Sequence, residues 1–397
     1  MKIIIQKFGG TSLQNSELRQ KAAELVKLSV SEGWSPVVVV SAIGRKGDPY
    51  ATESLLDFVI RETPAIRKRE KDMLLSCGEV ISAVTFTSVL QHSGLEAVAL
   101  TGIDAGIITD ENHGNAQVKK VDTAFLHAIL KSHKIPVVCG FQGISEKGAI
   151  TTLGRGGSDT TASVLAAALD AEEIRVYKDV DGLNTADPKL ICHSSLIPTA
   201  SYEEAVELAE KGAQIIHPRA VEIAAAENIP IRIFSMKTGK SGTSVKNIKS
   251  DKPVTGITSK ENIVLICLEA KTEVSNVQLK IFQLLADNNV SADFIDIRPD
   301  SISFIIDSEN LATTHAIMQK NNFSCSTREN LVKVSIVGSG MTGVPGIMAK
   351  VVEALTSHQI IIFGCTDSRT TISCLIDKND KIKAIGALHN IFNLDAK

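Results

Sequence analysis

Two stretches in the last third of the chain carry one pattern at a fixed offset, and a duplicated pattern admits few folds. Val290 to Asp307 aligns without a gap with Ile360 to Asp377, so that Ile302-Ser303 falls on Ile372-Ser373, Ile305 on Leu375 and Asp307 on Asp377. Leu285 and Leu355 match at the same offset. Each copy reads strand, helix, strand, turn, strand, and a further apolar-periodic stretch follows as a second helix. A βαββα order predicts two small α+β units of the ferredoxin-like type, over 256–330 and 331–397. A duplication of this kind can also serve pairing between copies of the chain and nothing else.

The remainder has a different grammar. Short β-rich runs (Lys2 to Gln6, Pro36 to Ser41, Ile135 to Gly140, Ile174 to Tyr177, Ile229 to Phe234) alternate with helical stretches such as Leu18 to Val30 and Ile81 to Leu90. This alternation predicts an α/β domain over 1–240, a mainly parallel sheet covered by helices. Such sheets bind ligands beyond the carboxyl ends of their strands. The glycine-rich turns follow strands here. The polar stretch Lys237 to Pro253 reads as a linker, bounded at 241–255.

Composition closes off several classes of function. Lys and Arg number 42 against 45 Asp and Glu, for a net charge of -3, and aromatic residues are 4%. Neither a polyanion-binding surface nor a base-stacking platform is expected, hence no nucleic-acid partner. Apolar runs have strand length, so no membrane partner is expected either. The seven cysteines are scattered without Cys-x-x-Cys spacing. They predict reduced thiols, a cytoplasmic setting and no resident metal.

The chemistry concentrates in a few loops. Thr151 to Ala162 holds three glycines, Arg155, Ser158 and Asp159 just ahead of an Ala-rich helical run. Glycines admit close approach to an anion, a helix start aims free N–H groups at it, and Arg155 adds a planar fork. Lys7-Phe-Gly-Gly-Thr-Ser12 follows the first strand and suits phosphate, although its lysine precedes Gly9 and Gly10, unlike a Walker loop. Ser41 ends the second strand and reads equally as a turn cap or a substrate contact. Glu79, expected where a helix begins, reads as a first-turn glutamate or as the partner of a substrate ammonium. Tyr177 to Lys189 has three aspartates, but its spacing fits an EF-hand poorly, and a loop around a nucleotide is the better reading. His217 reads as a structural histidine at a helix start. No nucleophile–base pair stands out. A carboxylate acceptor would need none, being ionised already at neutral pH.

At these residues the chain resembles the aspartate kinases of the amino-acid kinase family. The resemblance is carried by Lys7-Phe-Gly-Gly-Thr-Ser12, Val40-Ser-Ala42, Gly78-Glu79, His113-Gly-Asn-Ala116, Gly140-Phe-Gln-Gly143, Thr152-Leu-Gly-Arg-Gly-Gly-Ser-Asp-Thr-Thr161, Asp179-Val-Asp-Gly182, Thr185-Ala-Asp-Pro188, His217-Pro-Arg-Ala220 and the paired ACT-like units. It implies transfer of the ATP γ-phosphate to the side-chain carboxylate of L-aspartate, with Mg²⁺ accompanying the nucleotide. That is the first step toward lysine, diaminopimelate, threonine and methionine. By resemblance, Lys7 and Asp159 are catalytic, and Ser41, Glu79, Arg155, Gly156, Gly157 and Ser158 bind aspartate. Lys7, Phe8, Gly9, Gly10, Lys178, Asp179, Asn184, Asp187, Pro188, Lys189 and Gln214 would hold the nucleotide.

Two departures from the family pattern stand out. Lys178 replaces the Ser or Thr of many relatives, and Gln214 stands where many carry a phosphate-contacting lysine. Lys178 is expected to compensate. The resemblance also implies a homodimer formed through the ACT units and feedback by an amino acid. The effector is expected at Asp293, Phe294, Gly343, Val344 and Pro345. Thr366-Asp-Ser-Arg-Thr-Thr371 departs from the Ser-Thr-Ser-Glu-Ile of lysine- and threonine-inhibited relatives. With Ala42 to Ser54, it favours meso-diaminopimelate over lysine or threonine. A kinase of the same fold acting on glutamate or uridylate would lack both the Gly154 to Asp159 run and the duplication. An inactive amino-acid sensor of ACT type, supported by Gln214 alone, is the alternative.

Overall fold

The computed structural model describes residues 1–63, 65–209, 215–248, 252–269, 274–341 and 343–395. Gln214 lies outside the described residues. The chain divides into two compact units, Met1–Leu183 with Leu196–Ser250, and Asn184–Ser195 with Asp251–Lys397.

In chain order the first unit contains β1 (Ile3–Phe8), α1 (Ser16–Ser31), β2 (Ser35–Val40), α2 (Thr52–Ile60), α3 (Lys68–His92), β3 (Ala97–Leu100), β4 (Ile107–Thr109), β5 (Val118–Val121), α4 (Ala124–Lys131), β6 (Ile135–Cys139), β7 (Gln142–Ser145) and β8 (Ile150–Thr152). It continues with α5 (Gly157–Ala168), β9 (Glu173–Lys178), β10 (Thr199–Ala200), α6 (Tyr202–Leu208), α7 (Pro218–Ala226), β11 (Ile231–Ser235) and β12 (Ser241–Val245). Eight strands form one sheet in the order β10-β12-β11-β9-β1-β2-β6-β3, and β5-β4-β7-β8 form a smaller one. In the large sheet only the β11–β12 pair is antiparallel. The central strands are buried along their length because helices cover both faces, which is why Ile3-Ile-Ile5 and Val37-Val-Val-Val40 read as continuous apolar runs. The chain winds outward from β1 in both directions, through β2 and β6 on one side and β9 and β11 on the other. The carboxyl end of β1 is therefore a topological switch point.

Two expectations need correction. The linker expected at 241–255 begins instead with β12, which pairs with β11 from Ile231↔Val245 to Phe234↔Ser241 and lies between β11 and β10 in the sheet. Its Ser, Gly and Thr residues disguise a strand as a polar connector. The helix expected to start near Glu79 starts at Lys68, so Glu79 sits in mid-helix. The charged first turns of α3 hid its true start. This helix is long and apolar enough to cross a membrane, but Leu75, Phe86 and Leu90 are buried in the unit's core.

The second unit holds β13 (Gly256–Glu269), α8 (Val274–Asp287), β14 (Asp293–Ile297), β15 (Ser301–Asp307), α9 (Leu311–Lys320), β16 (Cys325–Val337), α10 (Ile347–Thr356), β17 (Gly364–Asp367), β18 (Thr371–Asp377) and α11 (Lys381–Ile391). Both βαββα copies are present. They share one six-stranded sheet, β14-β15-β13-β16-β18-β17. The long strands β13 and β16 run antiparallel to each other through the centre, with register shifts around Lys260–Leu265. Asn262 and Asn330 take positive φ there, a conformation asparagine tolerates. One apolar cluster lies under each copy, around Ile266, Leu285 and Phe304 in the first and Val334, Leu355 and Leu388 in the second.

Candidate active site

Lys7 is the penultimate residue of β1, and Asp159 occupies the first turn of α5. The helix begins at Gly157, inside the glycine-rich loop and six residues before the Ala-rich run that marked it in the sequence. Lys7 Nζ lies 2.7 Å from Asp159 Oδ1, and Lys178 Nζ, from the end of β9, lies 3.7 Å from Oδ2. Lys7 and Asp159 are both buried. Burial opposes ionisation of Asp159, but Lys178 and Lys7 outweigh it and hold the carboxyl down at about 2. Burial lowers Lys7 to about 8, against the pull of Asp159. The result is a desolvated cluster of two ammonium groups on one carboxylate, placed at the switch point.

The walls of the site are built from backbone. The Ser41 N–H donates to the Phe8 carbonyl (3.2 Å), Gly44 N–H to Gly10 O (3.0 Å) and Gly140 N–H to Val40 O (2.9 Å). The ends of β1, β2 and β6 are thereby locked together. A Cβ on Gly10 would stand 2.3 Å from the Ala42 carbonyl oxygen, so only glycine permits this approach. Phe8 itself is wholly buried and stacks on Tyr177 at 4.5 Å between ring centres. Its side chain belongs to the core, so only its backbone is left to offer to a ligand.

Glu79 reaches this turn from α3. Its Oε1 accepts the Ala42 N–H at 3.1 Å, while Oε2 is buried with no hydrogen-bond partner. Burial pushes its carboxyl up to about 8. The helix-dipole reading of Glu79 therefore fails, and what stands in its place is a buried acceptor with one oxygen to spare. Ser158 lies against Gly140, whereas Arg155 is exposed. Gly156 has φ +66°, and a Cβ there would fall 2.2 Å from the ring of His217. His217 is the N-cap residue of α7, as its position before Pro218 suggested.

Two readings were not joined to this cluster. Asp179 is exposed and pairs with Arg45 at 2.5 Å. Asn184, Asp187, Pro188 and Lys189 belong to the second unit. Sequence reasoning also missed Asp72. This buried carboxylate of α3 accepts the Thr152 hydroxyl (2.6 Å) and N–H (3.1 Å) and the Gly114 N–H (3.0 Å), and it meets His113 Nδ1 at 2.9 Å. It ties the His113-Gly-Asn-Ala116 loop to the start of the glycine-rich loop. Arg219 braces the same place, donating to the carbonyls of Ala116 and Leu153. No local pattern marks Asp72, because its partners lie some 40 and 80 residues away.

Known proteins resemble this chain in sequence and fold. Residues 2–235 match the Amino acid kinase family and residues 326–390 an ACT domain. Aspartokinase 1 of Bacillus subtilis (strain 168) is 43% identical over 402 residues, 99% of this chain and 100% of the relative. E. coli aspartokinase III in complex with aspartate and ADP (R-state) superposes with a TM-score of 0.81 at 24% identity, covering 98% of this chain and 99% of the other. The same enzyme in complex with lysine and aspartate (T-state) gives 0.76 at 24%, covering 99% of both chains. Full-length kinship at this level, the kinase sheet and the duplicated regulatory sheet lead to one conclusion: the chain belongs to the aspartokinases, ACT-regulated enzymes of the amino acid kinase family that phosphorylate aspartate.

Proposed function

We propose that ATP and L-aspartate meet across the carboxyl ends of β1, β2, β6 and β9. The Lys7–Asp159–Lys178 cluster, with Lys7 and Asp159 buried, carries this reading. The triphosphate lies against Gly9, Gly10, the Phe8 backbone and the two ammonium groups. Aspartate offers its α-carboxylate to Arg155, Ser158 and the N–H groups of Gly156 and Gly157 at the start of α5. Its ammonium goes to the spare oxygen of Glu79, beside Ser41. One oxygen of the ionised side-chain carboxylate forms a bond to the γ-phosphorus. The bond from that phosphorus to the β,γ-bridging oxygen breaks, and ADP leaves with the electron pair. No base is needed, so catalysis is positioning and charge neutralisation. Asp159 keeps two ammonium groups apart and aimed. The aspartate and ADP held by the E. coli relative support this pairing of ligands.

Mg²⁺ is proposed to arrive with the nucleotide. Of the acidic groups nearby, Asp159 is engaged by two lysines and Asp179 by Arg45. Phosphate oxygens and water suit Mg²⁺ better than a protein cage here. By resemblance, Asp179 also borders the nucleotide in this reading.

Regulation is assigned to the second unit, with an amino-acid effector near Asp293, Phe294, Gly343, Val344 and Pro345. Asp293 is half-exposed and its carboxylate pairs with buried Lys333, which presents both signs of charge to a zwitterion. The lysine complex of the E. coli relative supports an amino acid as effector, and the altered Thr366 to Thr371 stretch favours meso-diaminopimelate. Exposed Ile295 and Ile297 on edge strand β14, with Val352 and Ile361, favour a homodimer through this unit. Seven unpaired cysteines favour the cytoplasm. The test is aspartate-dependent ADP release with MgATP, alone and with lysine, threonine or meso-diaminopimelate. Suppression by meso-diaminopimelate alone is expected. Suppression by lysine or threonine instead would replace the effector assignment, and turnover that ignores aspartate would end the substrate assignment.

A further inference from the structure

Residues Asn184–Ser195 are packed into the second unit. Ala186 and Ile191 are buried in the same apolar cluster as Ile257, Val332, Leu388 and Leu394. The far end of the segment is joined to the end of the chain: Ser194 bridges Asp395, and Ser195 Oγ donates to the Leu394 carbonyl. Three potential ligands converge there. His389 Nδ1 lies 3.0 Å from Asp395 Oδ1, and His193 Nε2 lies 3.3 Å from the same oxygen. The two imidazoles stand edge to face with centroids 5.4 Å apart, and the three ligand atoms lie within 4.8 Å of one another.

His389 makes this more than a surface ion pair. Its side chain is wholly buried, and its Nε2 is 2.9 Å from Thr185 Oγ1, which also accepts the Ser195 N–H. Its Nδ1 faces Asp395 without forming a directed hydrogen bond. If Nε2–H donates to Thr185, Nδ1 presents a lone pair to a carboxylate oxygen, and two acceptors at 3.0 Å repel unless a cation lies between them. A zinc ion with bonds of about 2.0–2.1 Å holds tetrahedral ligand atoms about 3.3 Å apart, close to both distances here. An imidazole whose other nitrogen is fixed by a hydrogen bond is the usual setting of a metal-bound histidine.

We propose that His193, His389 and Asp395 form a site for a divalent transition metal of the zinc type, with Thr185 orienting His389 and a fourth position open to water. Two imidazoles and one carboxylate suit Zn²⁺ or Co²⁺ and poorly suit Mg²⁺. The ion would staple the end of the 184–195 segment to α11 and the residues after it. That segment also carries Asn184, Asp187, Pro188 and Lys189.

The experiment uses the full-length untagged chain, stripped with a chelator and titrated with CoCl₂ while the visible d–d bands are recorded, with ZnCl₂ as competitor. One Co²⁺ per chain with the intense bands of a four-coordinate site, displaced by Zn²⁺, is expected. His193→Ala and Asp395→Asn, both at half-exposed positions, should each weaken binding at least tenfold while aspartate-dependent turnover reports an intact fold. Thr185→Val should weaken it about 10–100-fold. Cys192→Ser should leave the spectrum unchanged, since Cys192 Sγ lies only beside His193 Nδ1. No cobalt uptake, or uptake equal in wild type, His193→Ala and Asp395→Asn, would overturn the site and leave a proton shared between His389 and Asp395.

Discussion

Glu79→Gln separates what this buried carboxylate does for substrate from what it costs the fold. Burial moves its carboxyl from 4.5 to about 8, so the native protein keeps a proton that the unfolded chain gives up. Stability is therefore fully present below pH 4.5 and lost as pH rises toward 8. The loss is about 3 kcal/mol by pH 7 and about 5 kcal/mol by pH 9. Glutamine is uncharged throughout, so the variant should match wild type near pH 4.5 and unfold several degrees higher at pH 8 by scanning calorimetry. Aspartate binding runs the other way. If the substrate ammonium needs the ionised form, about one-tenth of free enzyme is ready at pH 7. The aspartate KM should then fall roughly fifty-fold between pH 6 and pH 8. In Glu79→Gln that dependence should vanish and the KM should stay high. The ATP KM serves as the internal control, because Lys7, at about 8, loses its proton over the same range and moves nucleotide binding in the opposite sense. An aspartate KM with the same pH profile in both proteins, or equal pH slopes of stability, would refute the reasoning.

Four further outcomes follow from the same geometry. Asp159→Asn leaves buried Lys7 and partly buried Lys178 without their counter-ion, so kcat should drop about 100-fold or more and stability by about 3–5 kcal/mol, read by ADP release and denaturant titration. Gly156→Ala forces a side chain into φ +66° and onto the His217 ring. It should cost roughly 2 kcal/mol or more and raise the aspartate KM, and wild-type kinetics would show that the loop has slack. Asp72→Asn puts an amide against backbone donors, at a cost of about 3 kcal/mol. Because Asp72 acts only through the loops it ties, its aspartate KM should rise more than its kcat falls. Lys178→Ser should raise the ATP KM, and unchanged ATP KM and kcat would dismiss compensation for Gln214.

Much of the architecture was legible because it is written in periodicity. Continuous apolar strands marked a sheet covered on both faces, and the ungapped repeat marked two βαββα copies. The errors arose where side-chain character and backbone role diverge. Ser241 to Val245 is polar yet pairs as an edge-side strand, and the start of α3 is charged although its later turns are core. Pairing across distance was also out of reach. That Lys7, Asp159 and Lys178 form one cluster depends on β1, α5 and β9 being brought together. Asp72, half of whose partners are backbone N–H groups, leaves little residue-type signature on the loops it holds.

The charge arithmetic of that cluster bears on the two departures from the family pattern. One carboxylate and two ammonium groups sum to a single positive charge in a desolvated site, where interactions between charges are far stronger than in water. With Ser or Thr in place of Lys178, Lys7 and Asp159 would cancel. The site would then rely on a lysine from elsewhere to meet the triphosphate, the role that the family resemblance implies for the position of Gln214. Lys178 returns that charge from the end of β9, on a strand adjacent to β1 in the sheet. A charge carried on a rigid strand is already ordered when the nucleotide binds. On the proposal that Lys178 compensates for Gln214, restoring lysine at 214 should rescue the ATP KM of Lys178→Ser while adding little to the wild type.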